Sequence, residues 1–302
     1  MSSVDDITTG LYLLASQALP SLCAQHHLAH DLPSDIYVPQ YTHKQTKVLE
    51  AKRLKVLSTL LEQKGVSWWD VFESSEIGKE RATIVSNFVP ADSRVLDVGC
   101  GRGFFSFACT KKSRQVVSLD MMDGKERRGW WAEFQRTLRL LKVGRKVFGT
   151  RGSAASLPFR NGTFDVIASV HAIRNFQSVV ELRAFIDEAL RALKEGGRLI
   201  LVESDFEAGD CRAYAEFYRL RTTIGWELRL PTSAELVKWL SRAGFTRISE
   251  EVVDTGLKYA PVYFPFDPAL LKGMEREYKI AASLLKGKGE RHPPISVITA
   301  TR

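Results

Sequence analysis

The sequence predicts an α/β protein with a doubly wound, mostly parallel sheet of seven strands and an N-terminal helical extension. Three observations carry this prediction. From residue 91 onward, short apolar runs alternate with segments of helical periodicity. Some runs, such as RVLDVG at 94–99, are apolar almost throughout, as buried parallel strands are. Repeated strand–helix–strand units require helices on both faces of the sheet.

The chain is predicted to have two parts. Residues 1–67 form the helical extension and residues 68–302 form the sheet domain. Within the extension, the apolar spacing of residues 44–64 predicts a helix, whereas Pro20 is expected to break any long helix before it. The extension could act as a lid or as a dimer contact. The sequence does not choose between them, so the oligomeric state stays open.

The strands of the second part are predicted from their apolar runs. They are 94–99, 115–120, 146–150, 164–170, 198–204, 245–256 and 295–302. Helices are predicted between most of them, the last in residues 269–286. The motif Ser178-x-x-Glu181 predicts a capping box, and Gly196 is expected to end the helix that follows it. A second box at Thr232 precedes a helix that Gly244 is expected to end.

Composition excludes several classes of protein. Apolar residues make up 44% of the chain and charged residues 26%, as in ordinary globular proteins. No run approaches the roughly 18 apolar residues of a membrane-spanning helix. The acidic start MSSVDD does not predict a signal peptide. The four cysteines are scattered without a CxxC pair, which predicts a cytoplasmic protein without a zinc site or disulfide framework.

Positive charge is concentrated in one part of the chain. The formal net charge is +8, and residues 91–150 contain 13 Lys and Arg against 6 Asp and Glu. Such a bias is typical either of a polyanion-binding surface or of an ordinary solvated face. Residues 125–146 also mix basic and aromatic side chains, as single-stranded nucleic acid sites do. RNA is therefore kept as an alternative partner.

The stretch VLDVGCGRG, residues 95–103, predicts a ligand-binding loop. Its GxGxG spacing differs from the GxGxxG of dinucleotide sites. Asp97, just before the loop, suits a ligand that carries an ammonium or sulfonium group, although it could also cap the turn. Asp120 ends the next strand and can accept two hydrogen bonds from a ribose diol, or it could cap a helix. Together these residues predict a site for a cationic nucleoside amino acid.

Five stretches, in this order, resemble the class I S-adenosylmethionine-dependent methyltransferases. They are VLDVGCGRG, SLD ending at Asp120, LPFRNGTFDVIASVHAIRNF at 157–176, LKEGGRLILVES at 193–204 and SAELVKWLSRAGF at 233–245. The resemblance covers about residues 68–302 and implies a Rossmann-like fold with S-adenosylmethionine as cofactor. HAIRNF, residues 171–176, resembles the methyltransferase-11 type and quinone-biosynthesis C-methyltransferases within this superfamily.

The resemblance also implies which residues meet the cofactor. They are Asp97, Gly99, Cys100, Gly101, Asp120, Met121, Ser153, Ala154 and Ser169. Gly99 and Gly101 would lie against the methionine part, Asp120 would bind the ribose and Met121 would pack on the adenine. Many relatives carry an acid where this chain has Ser153, a departure that shifts the adenine contact or weakens it.

His171 is the candidate general base, because it follows the fourth strand and an imidazole titrates near neutral pH. A histidine that only shapes the pocket is the alternative. Arg174, placed at the substrate pocket, is expected to pair with a carboxylate and hold this loop.

Residues 205–230 are predicted to form a lid over the site. Tyr214, Tyr218 and Trp226 in this segment could line an apolar acceptor pocket or pack the lid onto the core.

The acceptor is constrained mostly by what the motifs lack. No DPPY or NPPY follows the fourth strand, which disfavours methylation of an adenine amino group. His26, His27 and His30 lack a further ligand at a clear spacing, so no metal site is expected. The sequence favours methyl transfer to oxygen, nitrogen or carbon of a small, partly apolar metabolite. The alternatives are an RNA or ribosome-associated methyltransferase and a non-catalytic partner subunit.

Overall fold

The chain folds into two compact units. The computed structural model describes residues 9–29, 43–122, 129–206, 211–223, 225, 227–257 and 293–302. One unit comprises residues 1–80, 210–217 and 256–292, and the other comprises residues 81–209, 218–255 and 293–302. The boundary after residue 67 stays a prediction, as does the assignment of residues 1–67 to a lid or a dimer contact. The helix predicted in 269–286 lies outside the described residues.

The first unit is helical in its described part. Its helices are α1 (Thr9–Gln25), α2 (His43–Gln63) and α3 (Trp68–Ser74), and α4 (Glu76–Phe88) begins at its end. The helix predicted in 44–64 is therefore confirmed as α2. The prediction that Pro20 would break the preceding segment is wrong, because Pro20 lies inside α1.

Burial explains why α1 tolerates a proline that costs about 3 kcal/mol in a helix interior. Leu14, Leu19 and Leu22 are each at most 2% exposed. A fully buried leucine contributes about 1.5–3 kcal/mol, so three of them outweigh the proline. The helix also holds the next segment, since Gln17 Oε1 accepts a hydrogen bond from the Ile77 amide at 3.2 Å.

The second unit contains a seven-stranded sheet in the order β3-β2-β1-β4-β5-β7-β6. The strands are β1 (Arg94–Val98), β2 (Gln115–Asp120), β3 (Val147–Arg151), β4 (Phe164–Val170), β5 (Leu193–Ser204), β6 (Thr246–Val253) and β7 (Ile295–Thr301). Strands β1 to β5 are parallel, and β7 runs antiparallel between β5 and β6. This confirms the predicted mostly parallel, doubly wound sheet.

Among the described residues, further helices alternate with the strands along the chain. They are α5 (Phe104–Cys109), α6 (Trp130–Leu140), α7 (Val179–Ala192), α8 (Arg212–Thr223) and α9 (Ser233–Ala243). Helices α7 and α9 share a core with β1, β4 and β5, in which Phe185 and Leu240 are fully buried. No helix in the described ranges combines the length and apolarity needed to cross a membrane.

The two predicted helix starts have different outcomes. At α9, the Thr232 hydroxyl caps the helix and the Glu235 carboxylate accepts from the Thr232 amide at 2.9 Å, which confirms the capping box. At α7, the Ser178 hydroxyl accepts from the Glu181 amide, but the Glu181 carboxylate accepts from the Gln177 amide instead. The predicted box is therefore only half formed, since Glu181 reaches one residue further back.

Of the two predicted helix ends, one is confirmed and one is wrong. Gly244 ends α9 with φ +109°, as expected for a left-handed cap. Helix α7 ends earlier than predicted, at Ala192, because Leu193 is already extended with ψ 148° and begins β5. Gly196 therefore lies within the β5 segment and does not stop the helix.

Candidate functional site

The loop after β1 owes its shape to glycine. Gly99, Gly101 and Gly103 have φ values of +73°, +51° and +86°, a region that other residues rarely adopt. A Cβ on Gly99 would lie 2.5 Å from Ala172 Cβ, and one on Gly103 would lie 2.5 Å from the Phe134 ring. At Gly101 the nearest atom to an added Cβ, a ring carbon of Trp130, is 3.5 Å away, an ordinary van der Waals distance, so a Cβ would fit here without overlap.

Asp120 fixes the loop through both carboxylate oxygens. Its Oδ2 accepts from the Gly101 amide at 2.8 Å, and its Oδ1 accepts from the Met122 amide at 2.9 Å. The carbonyl of Leu119 accepts from the Gly99 amide at 2.8 Å. The Asp120 side chain is buried, at 6% exposure. The structure therefore brings Asp120 and the glycine loop together at the carboxyl ends of β1 and β2.

Asp97 lies beneath the same loop in a chain of hydroxyl groups. The acid is 2% exposed, and Ser106 Oγ donates to its Oδ2 at 2.6 Å. When Asp97 is ionised, Ser106 donates its one proton to the carboxylate, and the hydroxyl of Ser118, 2.6 Å away, then donates to Ser106. Burial raises the pKa of Asp97 to about 7, against the Ser106 hydrogen bond and the charge of Arg81. Asp97 therefore changes charge near neutral pH.

Cys100 is buried in this loop and is not a nucleophile. Burial, together with the charges of Asp97 and Asp120, raises the pKa of its thiol well above the usual value. A thiol held neutral is a small packing group rather than a reactive one.

The residues predicted to meet an adenine follow β2 and β3. Met121 is half-buried, and its carbonyl accepts from Arg151 Nε at 3.3 Å, while the neighbouring Met122 is buried with φ +53°. The hydroxyl of Ser153 accepts from the Ala155 amide at 3.2 Å and so shapes a turn. Ala154 is 8% exposed and belongs to the apolar core.

Ser169 presents an unusual feature in β4. Its hydroxyl is fully buried, and within the described parts of the chain it has no hydrogen-bond partner. A buried hydroxyl without a partner costs roughly 1–3 kcal/mol, so such groups commonly belong to sites that a ligand or water completes. The resemblance implied that Ser169 meets the cofactor, but the hydroxyl without a partner was not predicted.

His171, Arg174 and Glu203 form a buried cluster at the ends of β4 and β5. Arg174 Nε donates to Glu203 Oε2 at 2.7 Å, and its second terminal nitrogen, Nη2, lies 2.9 Å from His171 Nδ1. Burial opposes the charge on Arg174, but Glu203 and Glu227 together outweigh it and raise its pKa. The carboxylate partner expected for Arg174 is thus Glu203, which the sequence did not identify.

His171 has a constrained backbone. Its φ is +54°, and its amide donates to the Val202 carbonyl at 2.8 Å. A non-glycine residue in this region is strained, and such residues are frequent at functional sites. The strain fixes where the imidazole stands after β4.

Of the three aromatic residues predicted to line an acceptor pocket, the structure describes one side chain. Tyr218 stacks on Phe206 with ring centroids 4.8 Å apart. Its hydroxyl accepts from the Leu230 amide at 2.9 Å, so the side chain ties α8 to the segment before α9. Burial raises the pKa of Tyr218. The side chains of Tyr214 and Trp226 lie outside the described residues.

A second contact anchors the glycine loop from α6. Arg102 Nε donates to Glu133 Oε2 at 2.8 Å, and the guanidinium lies 4.5 Å from the Trp130 ring centroid. The sequence did not indicate this contact, because it joins residues about 30 positions apart. Among the described residues, no three His, Cys, Asp or Glu side chains are grouped to hold a metal ion, and His30 lies outside them.

The sheet order and the loop define the class I methyltransferase fold. A family described as a methyltransferase domain matches residues 96–201. The demethylmenaquinone methyltransferase of Clavibacter sepedonicus is 32% identical over 196 residues, which cover 55% of this chain and 71% of that one. The corresponding enzyme of Paenarthrobacter aurescens is 26% identical over 215 residues, which cover 62% of this chain and 76% of that one.

Solved structures show the same fold. The YcgJ protein of Bacillus subtilis superposes with a TM-score of 0.52 at 20% identity, covering 74% of this chain and 98% of that one. The chain belongs to the class I S-adenosylmethionine-dependent methyltransferases, and it is an enzyme of that family. The alternative of a non-catalytic partner subunit is set aside accordingly.

Proposed function

We propose that this chain binds S-adenosylmethionine in the loop between β1 and α5 and transfers its methyl group to a small, partly apolar acceptor. The observation that carries the proposal is the glycine loop held by Asp120. Three glycines at alternate positions, all in the left-handed region, bring backbone amides to the carboxyl ends of the strands, where open α/β sheets bind ligands. A carboxylate stands on each side of this loop, as a cationic nucleoside requires.

The residues present fit this cofactor. A Cβ on Gly101 would meet only the Trp130 ring, at an ordinary contact distance, so its backbone is less enclosed than that of Gly99 or Gly103, where a Cβ would overlap neighbouring side chains. Asp120, which accepts from the Gly101 and Met122 amides at this edge of the sheet, is the acid that we assign to the ribose diol. We assign the methionine part to Gly99 and Gly101, with the amino group near Asp97, Cys100 and the Ser169 carbonyl. We assign the adenine to Met121, Ser153 and Ala154.

The chain contributes position and a dry environment more than covalent chemistry. When bound, the cofactor supplies a methyl group already activated by its sulfonium. The residues then align an acceptor atom with that methyl group and exclude water, both of which accelerate a direct displacement. We place this activity in the cytoplasm, as the scattered cysteines indicate.

For the acceptor we propose an electron-rich aromatic ring bearing hydroxyl groups, such as a demethylated naphthoquinol. Support comes from the two relatives above, which are named for demethylmenaquinone. We assign Tyr214, Tyr218 and Trp226 to the acceptor side of the site. The aromatic character of this set suits a flat apolar ring.

Calorimetric titration with S-adenosylmethionine and S-adenosylhomocysteine tests the cofactor, with NADH as control. We expect the first two to bind in the micromolar range and NADH not to bind. Transfer of labelled methyl to a reduced demethylated naphthoquinol then tests the acceptor. Binding of NADH alone, or of none of the three, would refute the proposal.

A basic groove supports RNA as the second candidate acceptor. Arg139, Lys142 and Arg145 line a groove of about 500 Å³ between α6 and β3, together with Phe148, whose side chain is 46% exposed. Cations around an exposed aromatic ring suit a stacked base. Labelled methyl transfer to total RNA, and RNA binding that weakens steeply with salt, would favour this candidate over the quinol.

A further inference from the structure

The cluster of His171, Arg174 and Glu203 fixes the hydrogen-bonding role of the imidazole. The Arg174 side chain is 10% exposed and Glu203 is 9% exposed, so both are held away from water. Arg174 reaches His171 Nδ1 at 2.9 Å. Ser204 Oγ lies 3.4 Å from the same ring nitrogen, and Glu203 Oε2 lies 3.8 Å from it.

Arg174 determines which nitrogen of His171 carries the proton. A guanidinium has five N–H donors and no acceptor, and it stays protonated in proteins. Its nitrogen at 2.9 Å can therefore only donate, so His171 Nδ1 accepts. A neutral imidazole has one donor and one acceptor nitrogen, which leaves the ring proton on Nε2.

This arrangement is the opposite of what a general base needs. With the proton on Nε2, the neutral ring has no lone pair there to take a proton from an acceptor. Protonation at Nδ1 would break the hydrogen bond from Arg174 and put an imidazolium beside a guanidinium. The buried Glu203 carboxylate already receives Arg174 Nε at 2.7 Å, which holds the guanidinium in place.

We propose that His171 acts as a hydrogen-bond donor through Nε2, toward a negatively charged oxygen of the methyl acceptor, in place of the general-base role that its position suggests. Arg174 and Glu203 are positioning residues that set this tautomer. The inference rests on the proposed function and narrows the acceptor to one with an acidic hydroxyl.

The proton balance of the reaction follows from this role. The acceptor hydroxyl loses its proton to water before transfer, and His171 stabilises the resulting oxyanion. A bond then forms between the nucleophilic atom of the anion and the methyl carbon while the methyl–sulfur bond breaks, and that electron pair stays on sulfur. When the nucleophilic atom is a ring carbon, that carbon then loses its hydrogen to water as a proton and the oxygen regains a proton from water, while His171 keeps its own proton throughout.

The tautomer can be measured on the full chain without any acceptor. Long-range ¹H–¹⁵N correlation spectra of histidine-labelled protein distinguish the two neutral tautomers, and the spectrum of His171→Gln assigns the signal among six histidines. We expect the Nε2–H form at pH 8, and a mixture of tautomers in Arg174→Met. If Arg174→Met does not fold, Arg174→Gln replaces it, because a glutamine amide can accept from an Nδ1–H as well as donate to Nδ1. An Nδ1–H form in the wild-type chain would overturn the proposal.

Kinetics test the donor role separately. A glutamine amide can donate from near the Nε2 position but cannot accept a proton near neutral pH, whereas alanine does neither. With a reduced demethylated naphthoquinol as acceptor, we expect His171→Gln to keep kcat/KM within about tenfold of wild type and His171→Ala to lose roughly 100-fold or more. Equal losses in both variants would overturn the donor role.

Two controls separate this inference from the proposed function. His26→Gln makes the same chemical change in the other unit and should leave kcat/KM unchanged. Calorimetric titration of each variant with S-adenosylmethionine should give the wild-type affinity. If wild type binds the cofactor but does not methylate the quinol, the acceptor proposal fails while the tautomer measurement still decides the role of His171.

Discussion

Asp97 is a buried acid whose pKa of about 7 couples the stability of the fold to pH. The folded chain binds this proton more tightly than the unfolded chain, where the pKa is near 3.8. Its contribution to stability is therefore complete below about pH 3.8 and is lost as the pH rises through about 7. Over that window the loss is on the order of 4 kcal/mol.

We expect Asp97→Asn to remove this dependence, because an amide stays neutral and still accepts from Ser106. The variant should gain stability relative to wild type at pH 8 and differ little at pH 4. Urea unfolding of both proteins at the two pH values measures this. Glu203 is another buried acid with a raised pKa. Because it is present in both proteins, its contribution to the pH dependence of stability is the same in each and does not affect their difference. An equal pH slope in the two proteins would show that Asp97 is ionised throughout.

Asp120 serves both the loop and the proposed ribose contact, so its substitution should affect affinity most. In Asp120→Asn, the amide NH₂ would face one of the two backbone donors from Gly101 and Met122. We expect the dissociation constant for S-adenosylhomocysteine to rise roughly 10- to 100-fold, as for a lost charge-assisted hydrogen bond.

The matched control is Asp92→Asn, which changes a carboxylate that is 82% exposed. It removes the same charge before the amino end of β1, at the edge opposite the glycine loop, and should leave calorimetric affinity unchanged. Equal affinities of wild type and Asp120→Asn would remove the ribose assignment while leaving the fold assignment intact.

Sequence reasoning reached single site residues more easily than their partners. Asp97 and Asp120 were found because a strand end and a glycine loop mark them locally. Ser118 and Glu203 were missed because their roles depend on which helix or strand lies beside them. The local sequence does not determine which elements become neighbours in the fold. The edge where β4 and β5 end nevertheless offered a signal, since Glu203 ends one strand and His171 follows the other.

At the scale of the β1–α5 loop, two glycines should respond differently to the same substitution. Gly103→Ala forces a Cβ to within 2.5–2.7 Å of the Phe134 and Phe107 rings, in a left-handed conformation. We expect it to destabilise the fold by about 3 kcal/mol or more. Gly101→Ala has the same backbone penalty but no such overlap, so about 1 kcal/mol should be lost.

The affinity for S-adenosylhomocysteine should follow the opposite order, with the larger loss in Gly101→Ala, the variant that loses less stability. Gly101→Ala places a methyl group in the space assigned to the cofactor, so it should lose most S-adenosylhomocysteine binding while remaining well folded. Urea unfolding and calorimetry on the same samples give both quantities. Wild-type affinity in Gly101→Ala would mean that the cofactor does not approach this glycine.

Among the elements, the parallel strands were predictable and one helix was not. Runs such as FDVIASV are apolar because both sheet faces are covered, and this signal is local. Helix α1 was missed because Pro20 weighs against it locally, whereas the burial of its leucines depends on tertiary packing with α2 and α3. The end of α7 was misplaced for a similar reason, since pairing of β5 with its neighbours extends Leu193.

For the whole molecule, the charge count overstates the free positive charge. Residues 91–150 contain 13 basic side chains, but several are engaged within the fold. Arg114 pairs with Asp165 at 2.8 Å, and Lys146 donates to the Thr110 carbonyl at 2.9 Å. Composition therefore predicts the excess of positive charge but not which of these side chains are engaged within the fold. The cations of the α6–β3 groove are the part of that excess relevant to an RNA acceptor.

Ligand linkage gives a prediction for the stability of the whole chain. A ligand that binds only the folded state raises the free energy of unfolding by about 2.7 kcal/mol at 100 times its dissociation constant. We expect S-adenosylhomocysteine to do so for wild type in urea unfolding, and to have little effect on Gly101→Ala at the same concentration. Because this gain depends on binding and not on turnover, it tests the cofactor assignment without knowledge of the acceptor. Equal stabilisation of wild type and Gly101→Ala would show that the ligand binds at a site other than the glycine loop. The assignments of Asp97 and Asp120 to the cofactor would then also be refuted.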